Sequence, residues 1–449
     1  MAETQNHDVV VIGGGPAGSS AAGFLAQKGV RVLLLEREHF PRYHIGESLL
    51  SASLPILDAL GVMPAIEAAG FVRKPGGTFI WGSHREPWSF FFREDPGGRA
   101  HAFHVLRSEF DHILLRHAAS LGVDVREGHR VQTLQHDERD GRTRVVATDE
   151  RGAQTIVDAQ WVIDASGQQA LVGRRDGLRE FNPFFKNLAV FGYYENAERL
   201  NGPIAGNILS AAFADGWFWF IPLHDGTTSV GAVVDAHRFA GEAAGDPSAL
   251  YLRLVAACAP VADRINGATL VSPVRVIRDY SYCSQRFYGP GYLLAGDAAC
   301  FIDPVFSTGV HLACLSGYLS SQAVAGMLGG APTQPQHEQY DARYRAAFER
   351  YLNFLYFFYD HHSDPDSYFW TARKILSSEG SLDIRTAFVR LMSGGGDLLA
   401  NDAALRRELE DRHARLSKAV EAGRFAAAPD AGLFRVRATL VEMDRAKKS

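Results

Sequence analysis

The chain has 449 residues, of which 46% are hydrophobic and 22% are charged. This length provides for a large hydrophobic core divided over two or more subdomains. The formal net charge of -5 argues against the broad basic surface that nucleic-acid-binding proteins carry, so no nucleic-acid partner is expected.

The cysteine and hydropathy patterns predict a cytoplasmic chain without a membrane segment. The four cysteines, Cys258, Cys283, Cys300 and Cys314, form no C-x-x-C pair, so buried free thiols and a reducing compartment are expected. No metal site is expected, because the histidines of residues 101–117 lack the H-E-x-x-H spacing. No basic region with an apolar core starts the chain, and no uncharged stretch is long enough to span a bilayer.

The first predicted elements form a strand, a glycine turn and a helix. The apolar run Val9–Ile12 predicts a buried parallel strand, and Gly13, Gly15 and Gly18 follow it in G-x-G-x-x-G spacing before an alanine-rich helix. The first glycine permits a tight turn, the second lets backbone approach a pyrophosphate, and the third lets the helix pack on the strand. A second strand ends at Glu36, where a carboxylate can accept hydrogen bonds from a ribose diol.

Two later segments favour FAD over NAD as the dinucleotide. The stretch AQWVIDASG (159–167) predicts a strand that enters a small-residue turn, and GYLLAGDAAC (291–300) predicts another strand that ends at Gly296 and Asp297. In an FAD protein such an aspartate hydrogen-bonds the ribityl chain beside a helix N-terminus. The alternative role of Asp297 is a helix N-cap, and the two roles are compatible.

The middle and the C-terminal part of the chain differ in character. Residues 180–275 contain alternating aromatic and polar strands, typical of an inserted antiparallel sheet, and the chain becomes helical and charged after about residue 330. The fold class predicted is α/β. The expected division is an FAD-binding domain of residues 1–75, 100–180 and 276–330, a sheet domain of residues 76–99 and 181–275, and a helical region of residues 331–449.

An anion site is predicted at residues 296–310, GDAACFIDPVFSTGV. A Ser-Thr-Gly turn closes this stretch, and an apolar run at helical spacing follows it. A helix start carries unpaired N–H groups and the positive end of the helix dipole, so it attracts an anion.

Four motifs together resemble the flavin-dependent halogenases over most of the chain. Residues 13–18, including Ala17, match the FAD fingerprint of that family, and residues 217–222 match its W-x-W-x-I-P motif. Residues 301–309 match its F-x-x-P-x-x-S-x-G motif, and Lys74 in FVRKPGGTFIWG falls where the family carries its catalytic lysine. The resemblance implies a Rossmann-type FAD-binding domain of the GR2 kind, with the antiparallel sheet as the substrate domain.

The resemblance also implies the chemistry. In the family, reduced FAD and oxygen form a flavin C4a-hydroperoxide, a chloride or bromide attacks it, and hypohalous acid travels to the catalytic lysine. The N–H groups of Thr308 and Gly309 would hold the halide, although a cap that only contacts the flavin remains an alternative. Lys74 would either hydrogen-bond the hypohalous acid or react with it to form a haloamine. The haloamine route requires a neutral amine, so the pKa of Lys74 should be lowered. The alternative is that Lys74 is a surface charge.

Three further residues form the expected wall of the active site. Trp217 and Trp219 would keep the substrate away from the flavin, or they pack in an aromatic core, and both roles can hold. Phe306 stands where tryptophan halogenases carry a glutamate, so the chain resembles the branch that acts on phenols and pyrroles. The stretch FIWGSHREPWSFFF (79–92) resembles members that act on aromatic acyl groups tethered to carrier proteins.

The remaining implied contacts concern the cofactor and its supply. Three further residues are expected near the FAD: Arg37, which follows Glu36, Ser48 in the GES turn of residues 46–48, and Arg107. The alternative for Arg107 is a charge on a helix surface. No second nucleotide site is visible, so a separate NAD(P)H-dependent flavin reductase would supply reduced FAD. A reductase or monooxygenase of the geranylgeranyl-reductase type and a non-catalytic FAD-binding scaffold are the competing functions.

Overall fold

The computed structural model of the chain describes residues 4–82, 86–95, 98–359 and 384–394. These residues form two compact units. The first consists of residues up to 70, 105–180 and 282–348, and the second consists of residues 71–104, 181–281 and the described residues from 349 onward.

The strands follow one another along the chain in this order: β1 (Thr4–Ile12), β2 (Val32–Leu35), β3 (Val72–Lys74), β4 (Gly76–Ile80), β5 (Trp88–Phe91), β6 (Ala102–His104), β7 (Asp124–Arg126), β8 (Arg130–Asp137), β9 (Arg142–Thr148), β10 (Gln154–Asp164), β11 (Arg179–Glu195), β12 (Ile208–Phe213), β13 (Gly216–Pro222), β14 (Thr228–Asp235), β15 (Thr269–Leu270), β16 (Arg275–Ser284), β17 (Tyr288–Gly289), β18 (Tyr292–Leu294) and β19 (Cys300–Phe301). The helices are α1 (Pro16–Ala26), α2 (Ser53–Leu60), α3 (Met63–Ala68), α4 (Arg107–Ser120), α5 (Leu171–Arg175), α6 (Ala236–Gly245), α7 (Pro247–Ala256), α8 (Ala259–Ala262), α9 (Gly309–Leu328), α10 (Thr333–Phe358) and a last helix, Ile384–Ser393.

The first unit is built on a parallel sheet. β1 lies between β10 and β2 and pairs in parallel with both, β10 pairs in parallel with β18, and β2 pairs in parallel with β7. β8 and β9 extend this sheet as an antiparallel hairpin on β10. All four residues of β2 are buried, as expected for a central parallel strand. The carboxyl ends of β1, β10 and β18 meet at one edge, where doubly wound folds bind their ligands.

Helix α9 holds the turn after β18 in place. Gly317 lets this helix approach α1 closely, because an added Cβ there would lie 2.6 Å from the carbonyl oxygen of Ala17. The Ser316 hydroxyl accepts a hydrogen bond of 2.7 Å from the N–H of Gly296. The interior of α9 therefore packs on α1 and is hydrogen-bonded to the Gly296 turn within this unit.

The second unit contains the inserted sheet, in the order β16-β11-β14-β13-β12-β4-β5. Its neighbours are antiparallel from β11 to β12 and again between β4 and β5, whereas β12 and β4 run parallel. Side chains alternate across it: Phe218 and Phe220 pack with α6 and α7 on one face. Trp217 and Trp219 point to the opposite face, since successive side chains of a strand alternate.

The predicted α/β class, with an antiparallel sheet inserted into the nucleotide fold, is confirmed. The finer division into three regions stays a prediction. Of the predicted helical region, residues 360–383 and 395–449 lie outside the described residues. Among the helices that are described, none combines the length and the apolar character needed to cross a membrane.

Candidate active site

The glycine turn after β1 has the shape of a pyrophosphate cradle. Gly13 has φ +100°, and a Cβ there or at Gly18 would collide with backbone atoms. An added Cβ at Gly15 would meet only one atom within 4 Å, Nη2 of Arg42 at 3.5 Å. Gly13 and Gly18 are therefore required by the fold itself, whereas Gly15 faces open space at the start of α1, as a bound phosphate group requires.

Glu36, which follows β2, stabilises this glycine turn. Its carboxylate is buried and accepts hydrogen bonds from the N–H groups of Gly14 at 2.6 Å and Glu38 at 2.9 Å. A carboxylate has about four lone-pair sites, so Glu36 can still accept from a ribose diol. Arg37 is partly exposed and lies 3.5 Å from the Glu38 carboxylate.

Arg42 is the cofactor-site candidate that the sequence analysis missed. Its guanidinium lies beside Gly15 and forms an ion pair of 3.2 Å with the buried Asp111. Its position would place a cation next to a bound pyrophosphate. No local motif distinguishes FPRYH from other loop sequences; only the fold brings it to the glycine turn.

Arg107 is buried and holds another turn. It forms a bidentate pair with Asp111, at 2.8 and 3.0 Å, and donates to the carbonyl oxygens of Ile45 at 2.7 Å and Gly46 at 3.2 Å. These contacts rule out the alternative of a surface charge. Through these contacts Arg107 stabilises the turn of residues 45–48. It would therefore position that turn against the cofactor instead of binding the cofactor itself.

Two buried hydroxyls fit a bound group in the first unit. Ser48 Oγ and Thr308 Oγ1 are buried, and neither has a hydrogen-bond partner within the described part of the chain. A buried polar atom without a partner costs free energy, so such atoms in a native site indicate a partner that binds there.

Asp297 lies at the turn that follows β18. Burial raises the pKa of its carboxyl to about 6, against the opposing effect of the nearby Arg107. Its carbonyl oxygen accepts a hydrogen bond of 2.6 Å from the Tyr282 hydroxyl. Asp297 is the middle residue of a 3-10 turn, Gly296–Ala298, that has no side-chain cap, so its carboxyl can serve a ligand.

The predicted anion site lies at the start of α9. Ser307 adopts a left-handed conformation, with φ 59°, and turns the chain so that Thr308 becomes the N-cap. The first turn of α9 has no acidic residue, and an added Cβ on Gly309 would meet nothing within 4 Å. A positive helix end therefore faces open space. Phe306, directly before this turn, is buried.

Lys74 in the second unit is a buried amine, so the alternative of a surface charge is wrong. It lies on β3, pairs with Ala102 of β6, and is only 2% exposed. Burial lowers the pKa of its amine to about 7, because the charged form loses its water. The ammonium nitrogen lies 5.5 Å from the ring centre of Phe92, a cation–π distance.

His104 shares the β3–β6 ribbon with Lys74. It pairs with Val72, so by strand alternation it lies on the same face as Lys74, diagonally across the ribbon. Burial and the Lys74 charge lower the pKa of His104 well below its usual value, so the ring is neutral. Nε2 lies 2.9 Å from the carbonyl oxygen of Gly206 and must donate to it, which leaves Nδ1 as an acceptor. Within the described residues this buried Nδ1 has no partner.

The two tryptophans are buried in an aromatic layer on one face of the second unit's sheet. The Trp217 indole N–H donates to the Tyr359 hydroxyl at 2.8 Å, and that of Trp219 donates to Ser229 Oγ at 3.0 Å. The ring centres of the two indoles are 6.2 Å apart. Both rings are therefore locked in place, as a wall requires, and they also form part of the packed interior.

Comparisons with known proteins agree on one family. The tryptophan halogenase family profile matches residues 8–97 and 95–410. A tryptophan 2-halogenase of Chondromyces crocatus is 36% identical over 400 residues, covering 87% of this chain and 76% of the relative. The myxobacterial chondrochloren halogenase CndH, described as a new variant of FAD-dependent halogenases, is 42% identical with a TM-score of 0.77, and the match covers 95% of this chain and 99% of that structure. The flavin-dependent brominase Bmp2 is 26% identical with a TM-score of 0.79, covering 92% and 100%.

The α/β fold and these matches identify the class of protein as a flavin-dependent oxidoreductase. The chain belongs to the tryptophan halogenase family and is a flavin-dependent halogenase. The predicted enzyme class, with FAD and a halide as its requirements, is thereby confirmed, and the reductase and scaffold alternatives fall away. The roles of individual residues stay predictions.

Proposed function

We propose that this enzyme halogenates an electron-rich aromatic ring, phenolic or pyrrolic, with hypohalous acid that Lys74 guides to the ring. The observation that carries this proposal is the burial of Lys74, which lowers the pKa of its amine to about 7. A buried lysine without a function is rare, because burial disfavours its charge.

The residues of the first unit fit an FAD. The pyrophosphate would occupy the open space at Gly15. The N–H groups at the start of α1 and the Arg42 guanidinium would bind it there. Glu36 would accept from the ribose and Asp297 from the ribityl chain, with Arg37 and Ser48 nearby. Reduced FAD, when bound, supplies with oxygen the oxidising equivalent that converts a halide into hypohalous acid. A separate NAD(P)H-dependent reductase is the proposed source of reduced FAD.

Thr308 and Gly309 would bind the halide. A bare halide ion needs donors and no acceptors, and the start of α9 offers N–H groups without an acidic residue in its first turn. The Thr308 hydroxyl adds a donor that has no other partner among the described residues. Chloride and bromide both fit this chemistry.

Lys74 and the neutral His104 would together handle the halogen and the proton. A neutral amine displaces the hydroxyl of hypohalous acid, forming an N–halogen bond and releasing water, and then passes the halogen to the ring. The proton that the halogen replaces on the ring would return to the Lys74 nitrogen, and His104 Nδ1, an acceptor on the same face, would relay it. Trp217 and Trp219 would keep the organic substrate away from the flavin.

The pH dependence of turnover should distinguish the two possible roles of Lys74. With a pKa of about 7, the neutral fraction of Lys74 rises between pH 6 and pH 8, so the haloamine route predicts product formation that rises over this range. Lys74→Arg, which stays charged, should lose that rise along with most of the product. Initial rates of halogenation at saturating substrate, with flavin oxidation followed in parallel, provide the measurement. A rate that falls above pH 7 would instead favour hydrogen bonding by the ammonium.

Phe306 supports a phenol or a pyrrole over an indole. A deprotonated phenol activates its own ring, so a second carboxylate beside the halogen is unnecessary. The matched relative named as a tryptophan 2-halogenase makes tryptophan the competing substrate. We expect phenols and pyrroles to give halogenated product with reduced FAD, oxygen and bromide, and tryptophan to give none. Each acyl-type substrate should be offered both free and on a carrier protein, with intact-mass detection.

Phe306→Glu should not create a tryptophan halogenase. The side chain is buried, so the change adds a carboxylate without making room for an indole. Product analysis by mass spectrometry with tryptophan should stay at background, while Phe306→Leu serves as the apolar control of matched volume. Chlorotryptophan formed by the glutamate variant alone would show that Phe306 determines the substrate.

A further inference from the structure

Two cysteines face each other directly across the short strand pair β16–β19. Cys283 pairs with Cys300, and the next residue, Ser284, donates its N–H to the carbonyl oxygen of Ala299 at 2.9 Å. The backbone hydrogen bond between the two strands is therefore made by the neighbouring residues, Ser284 and Ala299. Cys283 and Cys300 themselves form a non-hydrogen-bonded pair. At such positions the Cα atoms are about 4.5 Å apart and the side chains lie close together. This spacing is within the range that a disulfide requires.

The two thiols have different surroundings. Cys283 is partly exposed, contrary to the expectation that all four thiols are buried, and its sulfur accepts a hydrogen bond of 3.2 Å from Arg345 Nη1. Asp341 holds the Arg345 guanidinium from its other side, at 2.9 and 3.1 Å. Because this sulfur is partly exposed, a small oxidant can reach it. Cys300 is buried, and burial raises the pKa of its thiol well above the usual value, so it stays protonated.

We propose that Cys283 and Cys300 form a reversible disulfide when the protein meets hydrogen peroxide. The Cys283 thiolate attacks one peroxide oxygen, the O–O bond breaks, and the departing hydroxide takes a proton to become water. The sulfur of Cys300 then attacks the resulting sulfenic acid of Cys283. The S–O bond breaks, and the hydroxide leaves as water with the proton of Cys300. Two thiols and one peroxide thus give one disulfide and two waters.

The pair lies next to the turn that is proposed to bind the flavin, where such an oxidant would arise. Reduced flavin and oxygen yield hydrogen peroxide whenever the oxidising equivalent is not used on a halide. Cys300 is three residues from Asp297, and Tyr282, the neighbour of Cys283, donates to the Asp297 carbonyl. The disulfide would therefore join β16 covalently to the segment that follows the proposed flavin-binding turn. It would also keep Cys283 from irreversible over-oxidation, because a facing thiol resolves the sulfenic acid.

Peptide mapping of the full chain tests this proposal. The purified protein is treated with a small excess of hydrogen peroxide, unreacted thiols are alkylated under denaturing conditions, and digested peptides are analysed by mass spectrometry. We expect a peptide linked through Cys283 and Cys300 that disappears on reduction with dithiothreitol. Cys283→Ser and Cys300→Ser should each abolish the linked peptide, and Cys258→Ser, which removes a thiol of the second unit, should leave it unchanged.

Several outcomes would overturn the proposal. These are sulfinic acid at Cys283 with Cys300 still reduced, a disulfide involving Cys258 or Cys314, or thiols that stay unreacted in the folded wild-type protein. All three are measured on the wild type, so a poorly folding variant cannot obscure them. The mass readout does not depend on halogenation, so it remains valid if the proposed substrate class is wrong.

Discussion

Lys74→Ala should reduce halogenated product by about a hundredfold or more while the oxidation of reduced FAD by oxygen continues. The residue belongs to β3 in the second unit, and none of the proposed cofactor contacts uses it. Removal of one positioned polar group at a reacting centre costs on the order of a hundred- to a thousandfold in rate. Stopped-flow absorbance of the flavin and mass spectrometry of the product measure the two half-reactions on one variant.

Lys74→Met provides a control for folding. In the folded protein the pKa of Lys74 is about 7, against the ordinary lysine value of 10.5, so the unfolded chain binds the proton more tightly. The native state therefore loses stability as pH falls from about 10.5 towards 7. Replacement by the apolar methionine should remove this loss and stabilise the protein at pH 7 by a few kcal/mol, with thermal unfolding as the measurement. A variant that is more stable and yet inactive cannot owe its inactivity to misfolding.

Lys28→Ala is the matched surface control, because Lys28 is exposed and its amine donates a hydrogen bond of 2.8 Å to the Gln322 side chain. It should keep full product formation. Near-normal product from Lys74→Ala would remove Lys74 from the mechanism. If Lys74→Ala also stopped flavin oxidation, the lysine would instead belong to the flavin site, and the separation of the two half-reactions would be wrong for this enzyme.

Gly15→Val should abolish FAD binding and leave the fold intact. An added Cβ at Gly15 meets no protein atom closer than 3.5 Å, so the backbone around it has room for a β-carbon. The added atoms would occupy the space that the pyrophosphate needs at the start of α1. The flavin absorbance of the purified protein, and titration with FAD, should show a loss of affinity of at least a hundredfold. Circular dichroism should match the wild type.

Two glycine variants make this result specific. Gly241→Val lies in α6, where an added Cβ meets nothing within 4 Å, and it should retain FAD. Gly18→Ala should instead destabilise the protein, since its Cβ would collide with the carbonyl oxygen of Gly13. A Gly15→Val protein that retains FAD at normal occupancy would show that the nucleotide site lies elsewhere.

Local patterns in the sequence were sufficient for the nucleotide half of the fold. A buried strand, three glycines at defined spacing, an alanine-rich helix and an acid after the second strand are neighbours along the chain, so their geometry follows from turn sterics and helix packing. The same holds for the start of α9, where a turn of three residues decides which N–H groups are left unpaired. The alternating aromatic strands likewise indicated a half-buried antiparallel sheet.

The motif position of Lys74 indicated its chemistry but not its burial. FVRKPGG contains no signal that separates a surface lysine from a buried one. Only the pairing of β3 with β6 and the packing of Phe92 over the amine remove its water. Burial in the folded protein, which no local pattern in this stretch reveals, lowers the pKa of this amine.

Tertiary structure alone decided the contacts between residues far apart in sequence. It brings Arg42 to Gly15, places His104 on the face of Lys74, and joins the Trp217 indole to Tyr359. The register of β16 against β19 determines a further contact, the pairing of Cys283 with Cys300. A shift of register by one residue would move one of these thiols to the other face of the pair. Register depends on the packing of the whole sheet, so no local stretch of sequence determines it.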